Sequence, residues 1–385
     1  MDAPEYTDLL AALRDVPDPR RARGRRYAWP LLLTLVAAAM ASGERNARGV
    51  GQWVAEHAAD LVAALDPPRG RLPSTATLRR ALRAVDVGAL EDRLARFAAG
   101  PRPTQPAGGG AAAGWVGLAV DGKAVRGANR HGAALHLVGL VRHADGVVLG
   151  QVAVAEKSNE IAAAPRLLAG RDLTGTVTTG DALLTQRDLA AQIRRQGGHY
   201  LMVVKANQPE LYRAVDLLFA APPPPLAGDR AAATATRAKG HGRLERRRLE
   251  RSAALTGYLA WPDARQALRR TCRRVIAATG EVQEETTYGV TSLPPAAASA
   301  AQLETLWRGH WTIENRVHHV RDVTLGEDAC QVRVGNAPHA LAALRNGLLN
   351  LLRLLGWPLI PDALRHYGAY PQRALALLAT APLRL

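Results

Sequence analysis

The stretch from residue 303 to residue 322 contains a glutamate whose neighbours in the sequence have side chains that can bind a metal ion or a phosphate. Glu314 has His310 four residues before it and His318 four residues after it, and Trp307 and Arg321 lie seven residues away on either side. In an α-helix these spacings put all five side chains on one side, while apolar residues at helical spacing pack against a core. A half-buried carboxylate there needs a cation, which a protonated histidine, Arg321 or a metal ion would supply. An ordinary ion-pair network is the simpler alternative.

Two aspartates follow apolar runs in the middle of the chain. The run 115–120 ends at Asp121-Gly122, as expected of a strand buried on both faces, and the β-branched run 174–179 leads into Gly180-Asp181. Neighbouring strands that end at one edge of a sheet bring their carboxylates together, and these stay ionised only beside a cation. Asp-Gly alone is typical of a turn. Three carboxylates (Asp121, Asp181 and Glu314) in a basic chain favour two Mg²⁺ or Mn²⁺ ions and phosphoryl transfer.

The chain has a formal net charge of +16 and a pI near 10.8. A polyanionic partner is expected, because arginines and lysines that neutralise phosphates release counterions. A GC-rich coding genome is a second source of arginine, so the net charge carries this argument rather than the arginine count.

The composition also bears on location. Cys272 and Cys330 are the only cysteines, which leaves no disulfide framework and no cysteine-based zinc site, and this favours a reducing cytoplasm. The apolar run 30–41 follows a segment with several acidic residues and is shorter than the roughly 20 residues of a membrane span. We therefore predict a buried helix there, and no membrane association.

The distribution of apolar residues divides the chain. Residues 1–100 are predicted to form an all-helical domain, with helices near 30–42, 47–65, 75–84 and 88–98. A basic segment precedes the first of these helices, so the domain is interpreted either as a DNA-binding module or as a plain helical bundle. A Pro- and Gly-rich linker follows at 101–114. Residues 115–385 alternate strands and helices, which predicts a mixed α/β sheet, and strand-like pieces within about 215–300 indicate a β-rich insertion.

The motifs along the chain match one family. They are Val120-Asp121-Gly122-Lys123 with Arg126-Gly127-Ala128, then Lys157-Ser158-Asn159-Glu160, Gly180-Asp181-Ala182 with Thr185-Gln186, Lys205 with Asn207-Gln208, Gly240-His241-Gly242-Arg243, and His310-Trp311-Thr312-Ile313-Glu314-Asn315. This set resembles the DDE transposases of the ISAs type, also called H-repeat-associated proteins, over about residues 8–355. The wider group carries Tyr, Arg, Glu and Lys where this chain has Trp307, His310, Glu314 and Arg321, so only the glutamate is kept.

The resemblance implies an RNase H-like catalytic core with a β-rich insertion. It also implies Mg²⁺-dependent cutting and joining of DNA at the ends of an insertion sequence. The protein is expected to act as a homodimer on double-stranded DNA in the bacterial cytoplasm. Asp121, Asp181 and Glu314 would be catalytic and hold the two ions. Ten further residues are predicted to contact DNA: Lys123, Arg126, Lys205, Asn207, Gln208, His241, Arg243, His310, His318 and Arg321.

Several alternatives stay open. The alternative interpretation of Lys123 and Arg126 is a solvated charged turn. For the basic stretch 239–248 the alternative is a solvated charged face. Zinc held by His310, His318 and Glu314 lacks an evident third neutral ligand. For the protein as a whole there are two alternatives to a transposase. One is a domesticated, catalytically silent DNA-binding protein, and the other is a nuclease of the same fold that does not transfer strands.

Overall fold

A computed structural model describes residues 8–23, 25–99, 114–130, 133–154, 160–221, 232–240 and 242–378. The predicted linker therefore lies outside the described residues, apart from Gly114. No helix in these ranges combines the length and the apolar character needed to cross a lipid bilayer.

The first part of the chain is helical, as predicted. The apolar run becomes a helix in which twelve of thirteen residues are buried, Trp29–Ala41. Ser74 caps the helix predicted at 75–84, where its side chain accepts a hydrogen bond from the Thr77 amide. The six helices are α1 (Leu9–Arg14), α2 (Trp29–Ala41), α3 (Ala47–Glu56), α4 (Ala58–Leu65), α5 (Thr75–Ala84) and α6 (Val87–Ala99).

A nine-stranded mixed sheet forms the rest of the fold, with the strand order β3-β2-β1-β4-β5-β9-β8-β7-β6. In its first five strands β1 is antiparallel to β2 and parallel to β4, which is the RNase H-like arrangement that the resemblance implied. The strands are β1 (Val116–Arg130), β2 (Ala133–Arg142), β3 (Val148–Val154), β4 (Thr176–Gly180), β5 (His199–Val204), β6 (Ala232–Gly240), β7 (Arg243–Ser252), β8 (Gln266–Ile276) and β9 (Val282–Thr291).

The β-rich region does not stand apart from the core sheet. Strand β9 pairs with β5 from Leu201↔Thr291 to Val204↔Tyr288, so the strands β6 to β9 continue the same sheet. Their hairpins carry many arginines outward on β7 and β8. The sheet thus extends from its first five strands into a basic surface.

The remaining helices pack against the sheet or against the N-terminal helices. One hydrophobic core joins the N-terminal helices to α11 and α13, so these segments fold against each other. A second core lies between the sheet and the helices α7, α8 and α9. These later helices are α7 (Glu160–Leu168), α8 (Arg187–Arg195), α9 (Pro209–Ala220), α10 (Ala300–Gly309), α11 (Ala337–Leu354), α12 (Ile360–Gly368) and α13 (Pro371–Leu378).

The expectation that Asp121 ends its strand is wrong. Strand β1 continues to Arg130, and Asp121 pairs with Gly139 of β2 in the middle of the ladder. The Asp-Gly pair is not a turn here. Gly122 leaves room for Glu160, because a Cβ atom there would lie 2.4 Å from the carboxyl carbon of that side chain and would displace it.

Candidate active site

Glu314 is carried by a π-helical segment, Ile313–His318, and a second π-helical segment follows at Val320–Thr324. The amide of His319 donates to the carbonyl of Glu314, five residues back. Such i→i+5 bonding underwinds the helix, so residues seven apart no longer lie one above the other, and π-bulges occur often at functional sites. The predicted single side that would unite Glu314 with Arg321 is therefore wrong.

Glu314 and Asp181 line one pocket of about 300 Å³. Asp181 comes directly after β4, and its Oδ1 accepts a hydrogen bond of 3.1 Å from the amide of Leu184, which fixes the turn. Trp307 and His310 line the same pocket, together with the exposed Lys205 and two arginines, Arg270 and Arg274. We call this the acidic pocket. It brings together two of the three predicted carboxylates.

Asp121 acts on the same cluster electrostatically. Burial raises its pKa to about 7, and the negative charges of Asp181, Glu314 and Glu160 add to this effect, against a hydrogen bond from the Gly122 amide. Its side chain is 20% exposed. Negative charge is thus concentrated where β1, β4 and the π-helical segment meet, and a bound cation would relieve the repulsion.

His310 is oriented by a threonine. The Thr179 hydroxyl donates to the carbonyl of Leu118 at 3.1 Å, and both His310 Nδ1 and His143 Nε2 lie 3.0 Å from its oxygen. With the hydroxyl proton on Leu118, His310 carries its hydrogen on Nδ1 and presents the lone pair of Nε2. That Nε2 atom is buried and has no hydrogen-bond partner among the described residues. Burial also lowers the pKa of His310, so the ring is neutral.

His318 lies beside the first aspartate, with its Nδ1 atom 3.6 Å from Asp121 Oδ2. Burial lowers the pKa of His318 to about 3, and the charges of Arg321 and Lys123 lower it further. It is therefore neutral and cannot neutralise Asp121. Its side chain is 15% exposed, so a DNA contact would be limited to its edge.

Arg321 and Lys123 belong to a buried ion network and not to a DNA-facing surface. Arg321 is 2% exposed and donates to Glu327 at 2.8 and 2.9 Å. Lys123 is 7% exposed and lies 2.5 Å from Asp322 and 3.9 Å from Glu327. Although burial would raise the pKa of Glu327, the charges of Arg321 and Arg345 lower it. A DNA contact by Arg321 or Lys123 would break this network, so their positions argue against that expectation.

The loop after Asp181 is braced by the residues that follow β5. Asn207 Nδ2 donates to the carbonyl of Ala182 at 2.6 Å, and Gln208 Nε2 donates to that of Thr185 at 2.8 Å. Both were expected to contact DNA, and the structure gives them a local task in holding the turn of Asp181. Arg126, in contrast, is 81% exposed on β1, with a carboxylate oxygen of Asp328 3.9 Å from its Nε atom.

A basic cleft of about 260 Å³ adjoins the acidic pocket. Arg243 lines it as predicted for the insertion, although its Nε atom is 2.8 Å from Glu245. Trp311, 52% exposed, lines both cavities and so lies between them. His241 lies outside the described residues. We call this the arginine cleft after its six arginines: Arg243, Arg247, Arg270, Arg274, Arg308 and Arg316.

Glu160 was missed as a site residue. It begins α7, is 7% exposed, lies against Gly122, and its charge raises the pKa of Asp121. The signal was present in the sequence, because Glu160 ends the motif Lys157-Ser158-Asn159-Glu160, which had been matched to the family without being given a task. Thr179 and His143 carried no such signal, since only the fold brings them to His310.

The chemistry of these donors fits a divalent cation. Carboxylate oxygens from three elements are ligands that Mg²⁺ or Mn²⁺ accepts, whereas the neutral Nε2 atom of His310 is not a typical Mg²⁺ ligand. Within the described residues, however, no group of three or more His, Cys, Asp or Glu side chains is already arranged to hold a metal ion. Side-chain rotation would be needed to close a coordination shell around an ion.

The fold and the acidic pocket define a class: an RNase H-like α/β protein with clustered carboxylates beside a basic cleft. Comparison with known sequences gives the family. Residues 113–351 match the Transposase DDE domain, and residues 10–98 match the family described as DDE_Tnp_1-associated. The first match spans more than half of the chain, so the chain belongs to the Transposase DDE domain family.

Individual relatives are similar over part of their length. The chain is 33% identical over 244 residues to the H repeat-associated putative transposase YhhI of Escherichia coli K12, which covers 61% of this chain and 63% of YhhI. It is 31% identical over 283 residues to an uncharacterized protein in the dhlA 3′ region of Xanthobacter autotrophicus, covering 72% of this chain and 92% of that protein. The match thus spans somewhat less than two thirds of YhhI.

A solved structure is also similar in outline. It is a piggyBac transposase synaptic complex with hairpin DNA, with a TM-score of 0.47 and 8% sequence identity, covering 94% of this chain and 77% of that one.

Proposed function

We propose that this protein is a DNA transposase of an insertion sequence that cleaves DNA strands and transfers them to a target. The observation that carries the proposal is that three carboxylates from distant parts of the chain lie close together. Asp181 and Glu314 line one pocket, and because Val120 pairs with Gly180, Asp121 lies next to Asp181. Two divalent ions held there, Mg²⁺ or Mn²⁺, would activate a water or a 3′-hydroxyl and stabilise the leaving oxygen.

Elimination among the counter-cations supports a metal ion. The sequence offers three cations that could balance the charge of Glu314: Arg321, a protonated histidine and a metal ion. Arg321 is bound to Glu327 in the buried network, and lowered pKa values keep His310 and His318 neutral. The metal ion is the remaining candidate of these three, and Lys205, which lines the same pocket, is a further cation beside Glu314.

The residues of the chain have separable tasks in this proposal. Asp121, Asp181 and Glu314 hold the ions, and Asn207 and Gln208 keep the turn of Asp181 in position. His310 offers a neutral nitrogen lone pair at the wall of the pocket. The arginine cleft, with Arg126, Lys205 and Trp311, would receive the DNA next to the scissile phosphate, where backbone contacts position the strand.

The proposal also keeps the organisation inferred from the sequence. The helical region 1–100, the linker 101–114 and the catalytic region 115–385 with its insertion at about 215–300 act as parts of one protein. Double-stranded DNA is the partner, because the chain carries a charge of +16 and arginines line the cleft. Paired cleavage of two DNA ends requires two active sites, so we expect a homodimer on DNA.

The test uses pre-cut and intact element ends with a target plasmid, in Mg²⁺ and in EDTA. The wild-type protein should give joined products that depend on the metal, and Asp121→Asn should give none while still binding DNA. Asp188→Asn, an exposed position at the start of α8, is the matched control and should leave the reaction intact. Retained cleavage by Asp121→Asn would falsify the assignment. Hydrolysis without joining would identify a nuclease, and binding without cleavage a silent DNA-binding protein.

A further inference from the structure

A second basic cleft lies between the N-terminal helices and the loop before α11. It measures about 460 Å³, more than either cavity at the active site. No acidic side chain lines it in the part of the chain that the structure describes. We call it the N-terminal cleft. Its basic lining residues come from α3, α5 and the loop: Arg48, Arg79, Arg83 and Arg333.

The two walls of this cleft are fixed to each other. The Asn336 side chain donates to the carbonyl of Val85 at 2.8 Å, and its amide donates to that of Arg83 at 3.4 Å. A Cβ atom at Gly335, which has a φ of +58°, would meet the same Arg83 carbonyl at 3.2 Å. The loop is thus docked on the end of α5, so the arginines surround the cleft without any rearrangement of the backbone.

The cleft is also tied to the catalytic strand. Arg333 Nε donates to the carbonyl of Gly127 on β1 at 3.1 Å. Gly127 lies against the loop so closely that a Cβ atom there would be 2.3 Å from the Cys330 carbonyl oxygen. Gly127 lies six positions after Asp121 on the same strand. At a rise of roughly 3.3 Å per residue, the distance between them is about 20 Å.

That distance suits one DNA duplex. Each strand of B-DNA carries one phosphate per roughly 3.4 Å of helix axis, so about six nucleotides of a duplex that runs along β1 span the gap from the acidic pocket. Arginines without acidic neighbours favour phosphate oxygens, and α3 and α5 present them on exposed helix faces. The length, the charge and the fixed walls therefore fit the backbone of a duplex that also reaches the active site.

We propose that the N-terminal cleft binds the phosphate backbone of duplex DNA about six nucleotides from the site of cleavage, as an anchoring surface separate from the catalytic pocket. The identification of DNA as the ligand rests on the proposed function, while the existence of an anion site rests on the cleft itself. Its arginines position the DNA without touching the reacting atoms.

The test measures DNA affinity against salt concentration, with full-length protein, EDTA and a duplex of roughly 30 base pairs. Each phosphate contact contributes a slope of about −0.9 in log K against log salt, so the double variant Arg79→Ala/Arg83→Ala should lose close to 2 in slope. Arg80→Ala is the matched control, because Arg80 is exposed on the same helix and does not line the cleft. The slope of this single variant should change by less than half of the ~0.9 expected for each cleft arginine.

The outcomes separate the two proposals. An unchanged slope in the double variant, or a loss of about 0.9 in Arg80→Ala, overturns the DNA site even where strand joining succeeds. Binding of inorganic phosphate that the double variant loses, with an unchanged DNA slope, identifies a free-anion site and also overturns it. Failure of the wild-type protein to bind DNA at all would instead remove the proposed function, and the DNA ligand with it.

Discussion

Replacing Asp121 with asparagine should stabilise the metal-free protein, and the gain should grow with pH. Burial and neighbouring carboxylates raise the pKa of Asp121 from 3.8 to about 7. A raised pKa means that the folded state holds a proton that the unfolded state releases. The stabilisation is complete below the unfolded value and is lost as the pH rises through about 7. At roughly 1.4 kcal/mol per pKa unit, the full loss is about 4 kcal/mol.

The assay is urea unfolding in EDTA at several values between about pH 5 and pH 8, with the variant compared to the wild type at each pH. The difference should increase by about 3 kcal/mol over this range and level off above pH 7. Asp188→Asn is the control for the loss of one negative charge. A difference that stays constant with pH, or that shrinks as pH rises, would refute the account of Asp121 as a destabilised carboxylate.

Two further changes test other parts of the structure. Glu327→Gln removes the carboxylate that Arg321 binds in the buried network, so it should lower the free energy of unfolding by about 3–5 kcal/mol; a loss below 1 kcal/mol in urea unfolding would show that water or another group replaces it. Trp311→Ala, at a residue that is 52% exposed, should change stability by about 0.5 kcal/mol or less. The same variant should weaken binding to DNA with a single-stranded end by about 1–3 kcal/mol in fluorescence anisotropy, and unchanged affinity would place the strand elsewhere.

Local sequence signals predicted the helices well where a cap or a long apolar run defined them. Helix α5 begins and ends at the predicted residues 75 and 84, because the Ser74 side chain satisfies the first free amides. The buried run at 30–41 likewise forms α2. Strand β1 was predicted too short, because Asp121-Gly122 is a common turn sequence and nothing local reveals the partner strand that continues the ladder to Arg130.

The site was predicted in its members more than in its geometry. Asp181 and Glu314 do share a pocket, since both come at the ends or edges of elements that the topology brings together. The hydrogen bonds from His143 and His310 to Thr179 could not be predicted, because the three residues are distant in sequence and none has a local signature.

The departures from the wider family pattern have different physical meanings. Trp307, in the position of the usual tyrosine, is 6% exposed and packs so closely on β9 that only a glycine fits at Gly289, where a Cβ atom would lie 2.6 Å from the ring. Arg321, in the position of the usual lysine, serves the buried network, because the π-helical turns direct it away from Glu314. Only His310 lines the acidic pocket with a buried polar atom that has no partner among the described residues. Of the three changes, we therefore expect this one to bear directly on the chemistry, while Trp307 acts through packing and Arg321 through the buried ion network.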